Sequence, residues 1–260
     1  MKKYLISLDK DQKRRELFFA QADTQDFHVF SAFNTMNEDL AGLAQRFALP
    51  QFAARYEREA TKGEVGCTLS HLGVYRQIAD DPTIADDDYS LVCEDDALFH
   101  QDFQPHLERI LAQGVSVDIL LVGQSKIATF DDIELEINYP TTFAFLQPKV
   151  TACPFAAVYP YKNYFAGTVA YLIKKSVAKQ FLAKVKENGL PYWLADDFIL
   201  FGDRFGLDIA VVRPLMVIEN PQVNSNLESI RGSIDHSLLA KLLKYPLKKV
   251  LAVIRNLGKK

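Results

Sequence analysis

Short apolar runs alternate with polar or helix-patterned stretches along most of this chain. Tyr4–Leu8 is the first run and predicts a strand, and His28–Ser31 predicts a second. Leu40–Phe52 reads as a helix broken at Pro50, and Glu64–Ile78 as a helix near its start. Asp80–Asp88 holds Pro82 and a run of aspartates, a loop of solvated acids. Tyr89–Cys93 and Val117–Gly123 read as buried strands, with a helix over Asp102–Leu111 between them. Asp131–Tyr159, rich in Thr, Phe and Pro, predicts loops or a small antiparallel patch. Phe165–Ile173 is apolar and leads into a Lys-rich helix, Ser176–Asn188, closed by Gly189. Leu207–Val212 reads as a strand that Pro214–Ile218 extends at a sheet edge, and Asn220–Ser233 as a polar loop. Strands alternating with helices predict one α/β sheet with helices on both faces. No internal repeat stands out, and no linker cuts the body in two. The expected division is a domain at 1–236 and a C-terminal tail at 237–260.

The 260 residues suffice for one large domain that buries roughly 70–75% of its unfolded surface. An apolar content of 48% with 24% charged residues excludes a disordered, collagen-like or coiled-coil chain. Cys67, Cys93 and Cys153 form no CxxC pair and make an unlikely disulfide scaffold. The opening apolar run is short and charge returns at once, which fits no signal peptide, and no run of 18 apolar residues occurs. The expectation is a cytoplasmic protein. Formal net charge is −3, but Ser237–Lys260 carries seven basic residues and no acid. The rest of the chain is therefore strongly acidic, which argues against a nucleic-acid surface.

Glu94-Asp95-Asp96 ends the strand at Tyr89–Cys93. Ligands of α/β sheets bind beyond the carboxyl ends of strands. Adjacent carboxylates there repel one another, and a divalent cation with oxygen ligands would offset them. Such a cation would also neutralise a diphosphate leaving group. A solvated acidic turn is the plain alternative. The chain has no P-loop, no Gly-x-Gly-x-x-Gly after the first strand, no Gly-x-Ser-x-Gly and no His-Glu-x-x-His. Its Cys and His spacings along the sequence match no zinc site.

An ordered set of segments carries a resemblance. It comprises Tyr4-Leu5-Ile6-Ser7-Leu8 with Arg14-Arg15 soon after, Gly63-Glu64-Val65-Gly66-Cys67-Thr68-Leu69-Ser70-His71, Leu91-Val92-Cys93-Glu94-Asp95-Asp96-Ala97, Gly167-Thr168-Val169-Ala170-Tyr171-Leu172-Ile173, and Asp196-Asp197. Over roughly residues 1–220 the chain resembles glycosyltransferase family 25, the bacterial lipooligosaccharide transferases related to collagen galactosyltransferases. The resemblance implies a GT-A-like fold with a single Rossmann-like mixed sheet. It implies inverting transfer of a hexose, galactose from UDP-galactose, to a terminal sugar of lipooligosaccharide at the inner face of the bacterial cytoplasmic membrane. UDP-GalNAc, UDP-GlcNAc or UDP-glucose are alternative donors, and a non-catalytic nucleotide-sugar- or carbohydrate-binding protein is the rival of another class. A metal-dependent phosphohydrolase is a third reading. Glu94-Asp95-Asp96 stands where GT-A enzymes carry Asp-x-Asp. The resemblance makes Asp96 the direct ligand of Mn²⁺ (or Mg²⁺), with Glu94 at the metal's water shell or the ribose, and it sets Asp95, Ser7 and Leu8 with the donor.

An inverting transfer needs a base for the acceptor hydroxyl. Asp196 and Asp197 are the candidates, Asp197 slightly preferred, although the pair could instead cap a helix beginning at Phe198. Trp193 is a candidate to stack on an acceptor sugar, and Gly167 and Thr168 to line the cleft. Arg14 or Arg15 suits a phosphate, only one of the two pointing inward. His71 is a candidate for the donor or the metal-binding loop, or else a satisfied core histidine. Gly66 suits close helix packing and Cys67 buried filler. Arg231 or His236 is a candidate contact to diphosphate. Leu247, Val250, Leu251, Ile254 and Leu257 form one helical stripe within the basic tail. The expectation is a basic amphipathic helix on an anionic membrane surface, or else a helix packed on the body with its lysines in water. Oligomeric state is not legible.

Overall fold

The computed structural model describes residues 1–127, 129–223 and 238–259. In chain order it builds β1 (Lys2–Ser7), α1 (Gln12–Phe19), β2 (His28–Ser31), α2 (Leu40–Ala44), α3 (Leu49–Tyr56) and α4 (Lys62–Asp80). It continues with β3 (Tyr89–Glu94), β4 (Ala97–Phe99), α5 (Phe103–Leu111), β5 (Ile119–Leu121), β6 (Gly123–Gln124) and α6 (Ile133–Asn138). A short 3-10 turn at Ala144–Leu146 precedes β7 (Ala156–Val158), β8 (Ala170–Lys174), α7 (Lys175–Asn188), α8 (Phe198–Asp203), β9 (Ile209–Arg213), β10 (Val217–Glu219) and α9 (Leu238–Asn256).

Seven strands form one mixed sheet in the order β2-β1-β3-β8-β5-β9-β7. β2, β1 and β3 run parallel, as do β5 and β9, while β8 lies antiparallel between β3 and β5. Both faces are buried, so the strands read as continuous apolar runs. Their side chains divide by alternation. Tyr4, Ile6, Val92, Tyr171, Ile173 and Val211 enter one core with Leu72 and Ile78 of α4, Phe181 of α7 and Phe198 of α8. Leu5, Leu91, Cys93, Leu172 and Val212 enter the other with Phe18 of α1 and Leu107 and Ile110 of α5. Helices therefore cover both faces, the α/β class expected. A small second sheet, β4-β10-β6, stands beside the first.

Several local expectations change. Pro50 does not break a helix but sits in the first turn of α3, where its missing N–H is not needed. The Val117–Gly123 run divides between the two sheets. β10 joins β4 and β6 instead of extending β9. Asp131–Tyr159, expected as loops or a small antiparallel patch, contributes α6 and, between loops, the edge strand β7 antiparallel to β9. The division at 236/237, Arg231 and His236 lie outside the described residues.

Candidate functional site

The reversal at β8 organises the site. β1 and β3 end, and antiparallel β8 begins, at the same edge of the sheet. Ser7 and Leu8, Glu94-Asp95-Asp96 and Gly167-Thr168 therefore meet around one cavity of about 520 Å³. α4 supplies its floor, with Gly66, Cys67, Ser70 and His71. A capping box, Thr61 with Glu64, fixes where α4 starts. At Gly66 an added Cβ would lie 2.6 Å from Thr35 Oγ1 and 2.7 Å from the Phe33 carbonyl, so glycine permits the 33–35 segment to approach. Gly167 has φ +71°, and a Cβ there would lie 1.9 Å from Ser125 Oγ. The chain turns inward at Gly167 because no other residue would fit.

The acidic segment holds three carboxylates in different states. Glu94 Oε1 accepts from Thr168 Oγ1, lies 3.2 Å from His71 Nε2 and 3.9 Å from Cys67 Sγ. Behind it, His71 Nδ1 lies 2.7 Å from the Tyr171 hydroxyl, which pairs with Tyr75 at 2.7 Å. Burial works to raise the Glu94 pKa, but the hydrogen bonds and charge of His71, with Thr168 and Arg14, hold it below its ordinary value. Asp95 accepts from Ser7 Oγ at 2.6 Å and pairs with Arg14 Nε at 2.8 Å. Burial still raises its pKa against both partners. Asp96 accepts from Arg14 Nη2 at 2.6 Å through Oδ2 only; its Oδ1 is buried with no hydrogen-bond partner. Burial and the neighbouring Glu94 charge push its pKa up to about 8, with Arg14 opposing and Glu219 adding to the rise.

Among these groups, Arg14 is the cation that touches Asp95 and Asp96. Arg15 turns away, donating to Ser7 Oγ at 3.0 Å and to the carbonyls of Leu8 and Asp9, so it braces the turn after β1. Arg14 thus meets the carboxylates and Arg15 the backbone of the turn. The cluster holds more carboxylate than its cations neutralise, and the orphaned Asp96 oxygen completes the picture. Oxygen donors, surplus negative charge and an unpartnered acceptor fit a hard divalent cation. Cys67, His71 and Glu94 also bring a thiol, an imidazole and a carboxylate within 4.8 Å. Sequence spacing missed this because Glu94 arrives from β3, not from α4.

Asp196 and Asp197 part company. Asp196 lines the cavity. Asp197 is fully buried off it. Its Oδ2 accepts from Arg55 Nε at 2.8 Å and Tyr56 OH at 2.6 Å, and its Oδ1 caps α8 through Leu200 N at 2.9 Å. Burial and this carboxylate drive the Tyr56 phenol well above its usual pKa. The slight preference for Asp197 as base is thereby corrected: its acceptor positions are occupied structurally and it does not face the cavity. Trp193 is likewise corrected. It is 1% exposed, edge-on to Phe205 and Tyr192 in the core, where no sugar can reach its ring.

Sequence reasoning missed Arg55 and Tyr56, which hold Asp197, and Ser125, Lys126 and Glu219, which line the cavity. Glu219 was findable, since it ends the apolar run Val217-Ile218 as Glu94 ends its own. Its carboxylate accepts from Lys126 N at 2.9 Å.

A mixed α/β sheet whose parallel strands end in an acidic cavity places a ligand cleft at their carboxyl ends. The chain belongs to glycosyltransferase family 25: the family model described as "Glycosyltransferase family 25 (LPS biosynthesis protein)" matches residues 1–200. Relatives include the human "Inactive glycosyltransferase 25 family member 3", 33% identical over 48% of this chain and 22% of its own length. The rat "Probable inactive glycosyltransferase 25 family member 3" is 31% identical over 34% of this chain and 16% of its own. The "Procollagen lysyl hydroxylase and glycosyltransferase" of Acanthamoeba polyphaga mimivirus is 28% identical over 54% of this chain and 14% of its own. The chain thus spans about a fifth or less of the length of these relatives. Among solved structures, the galactosyltransferase LgtC with donor and acceptor sugar analogues aligns at TM-score 0.35 and 14% identity, covering 81% of this chain and 73% of that one.

Proposed function

We propose that the chain is an inverting hexosyltransferase that takes galactose from UDP-galactose and adds it to a terminal sugar of lipooligosaccharide. The observation that carries this reading is the unneutralised Glu94-Asp95-Asp96 cluster, with its orphaned Asp96 oxygen, in one cavity with Asp196. Asp96 would hold a divalent cation, Mn²⁺ or Mg²⁺, with Glu94 at its water shell or the donor ribose. That cation, when bound, supplies positive charge to the diphosphate as the glycosidic bond breaks. Arg14 then shares its guanidinium between carboxylates and phosphate. His71 and Thr168 fix Glu94 in one orientation. Asp196 takes the proton from the acceptor hydroxyl as its oxygen bonds to the anomeric carbon from the face opposite the leaving UDP.

UDP release from a panel of UDP-sugars with Mn²⁺, with and without galactoside and glucoside acceptors, tests this. Release from one donor that rises with acceptor, needs the cation and is lost in Asp96→Asn supports the reading. Release from no donor, with no donor binding, overturns it. The names of the human and rat relatives favour one second reading, a protein that binds a nucleotide sugar without turnover. It predicts cation-dependent binding with no release under any acceptor.

A further inference from the structure

Helix α9 sits on the body the wrong way round. An amphipathic helix ordinarily packs its apolar stripe inward and leaves charge in water. Here Leu243, Leu247, Val250, Ile254 and Leu257 are 78%, 64%, 53%, 58% and 70% exposed, whereas Lys249 is 8% and Ala252 0% exposed. At 100° per residue the stripe points away from the side that Lys249 and Ala252 turn to the protein. Polar groups do the docking. Asn256 donates to the Tyr159 carbonyl at 2.7 Å and accepts from Tyr159 N at 2.9 Å. Lys248 donates to the Asn138 carbonyl at 3.0 Å, Arg255 to the Pro160 carbonyl at 3.0 Å, and Lys249 pairs with Glu136.

A second exposed apolar group adjoins it. Phe143 and Phe145 stack at 5.4 Å, Phe145 is 75% exposed, and Lys249 Nζ stands 5.3 Å from the Phe143 ring. The lysine that anchors α9 thus places the Phe143–Leu146 turn beside the helix. The stripe from Leu243 to Leu257 is about 21 Å long. No described helix is long and apolar enough to cross a membrane.

We propose that α9 and the Phe143–Leu146 turn form one docking surface for an anionic lipid bilayer, lying in its interface. Charge decides the occupant. Residues 237–260 hold seven cations and no acid; Lys248, Lys249, Arg255 and Lys259 meet acceptors on the body, and Lys244 stands exposed beside the stripe. Two copies pressed stripe to stripe would bring like charges together with no counter-charge from the segment. An anionic bilayer offers hydrocarbon to the leucines and negative headgroups to exposed Lys244 beside them. The inference does not depend on the donor or on turnover.

The test is co-sedimentation of the full chain with phosphatidylglycerol/phosphatidylcholine vesicles and with phosphatidylcholine alone. Light scattering reports mass, and thermal unfolding reports fold. Binding should require the anionic lipid. The combined variant Leu247→Glu, Val250→Glu, Ile254→Glu should bind at least about tenfold more weakly with unchanged melting. Phe145→Glu, on a separate segment, should weaken binding by a smaller factor, and it serves if the triple variant melts early. Full binding by both variants, or no binding to either vesicle by the natural chain, overturns the proposal. So does a dimer that the triple variant converts to monomer, because the surface would then be a contact between copies.

Discussion

Among the described residues, the buried carboxylates at Asp197 and at Glu94–Asp96 are satisfied in opposite ways. Asp197 is fully enclosed, and Arg55, Tyr56 and the Leu200 amide occupy both its oxygens. The Glu94–Asp96 segment faces a cavity with Arg14 shared between two carboxylates and one Asp96 oxygen left bare. A buried charge with every partner supplied by the chain locks elements together; here it joins α3 to the start of α8. A buried cluster short of partners, as at Asp96, is where a ligand finds open acceptors. Asp196, adjacent to Asp197, lines the wall of that same cavity.

Substitutions at the two sites should therefore diverge. The largest effect is expected from Asp96→Asn, with turnover falling roughly 10²–10³-fold through loss of charge stabilisation, while melting is unchanged or higher because repulsion is relieved. Asp197→Ala should do the reverse. Removing the partner of a buried pair costs about 3 kcal/mol, a fall in Tm of roughly 6–12 °C in a scanning calorimeter. Asp196→Asn should lower turnover about 100-fold with little change in Tm, as loss of a general base does. Equal melting losses in Asp196→Asn and Asp197→Ala would erase the distinction between the neighbours. Tyr56→Phe, which removes the hydrogen bond donated to Asp197 and the one accepted from Leu194 N, should cost about 1–2 kcal/mol in denaturant unfolding and leave donor binding unchanged.

The pattern of apolar runs was enough to place β1, β2, β3 and α5 and to put Glu94-Asp95-Asp96 at a strand's carboxyl end. What it could not supply was direction in space. Asp196 and Asp197 are adjacent and chemically identical, and only the capping of α8 decides which one turns inward. Trp193 looks like a sugar platform in the sequence, but aromatic residues serve cores and sites alike, and Phe205 and Tyr192 claim it. β10 left the main sheet because Val217–Glu219 found partners in β4 and β6, a long-range pairing that no local signal encodes. The stripe on α9 was legible, with a surface helix and a packed one both open; the docking was not, because Asn256 and the lysines find acceptors on the body that the sequence places about a hundred residues away.

The most direct test of the account is calorimetric titration of UDP into the protein with and without Mn²⁺, run on the natural chain, Asp96→Asn and Tyr56→Phe. The account predicts cation-dependent UDP binding that Asp96→Asn weakens at least about tenfold and Tyr56→Phe preserves. UDP binding of equal strength with and without the cation, unchanged by Asp96→Asn, would contradict it and leave the acidic segment with a purely structural role.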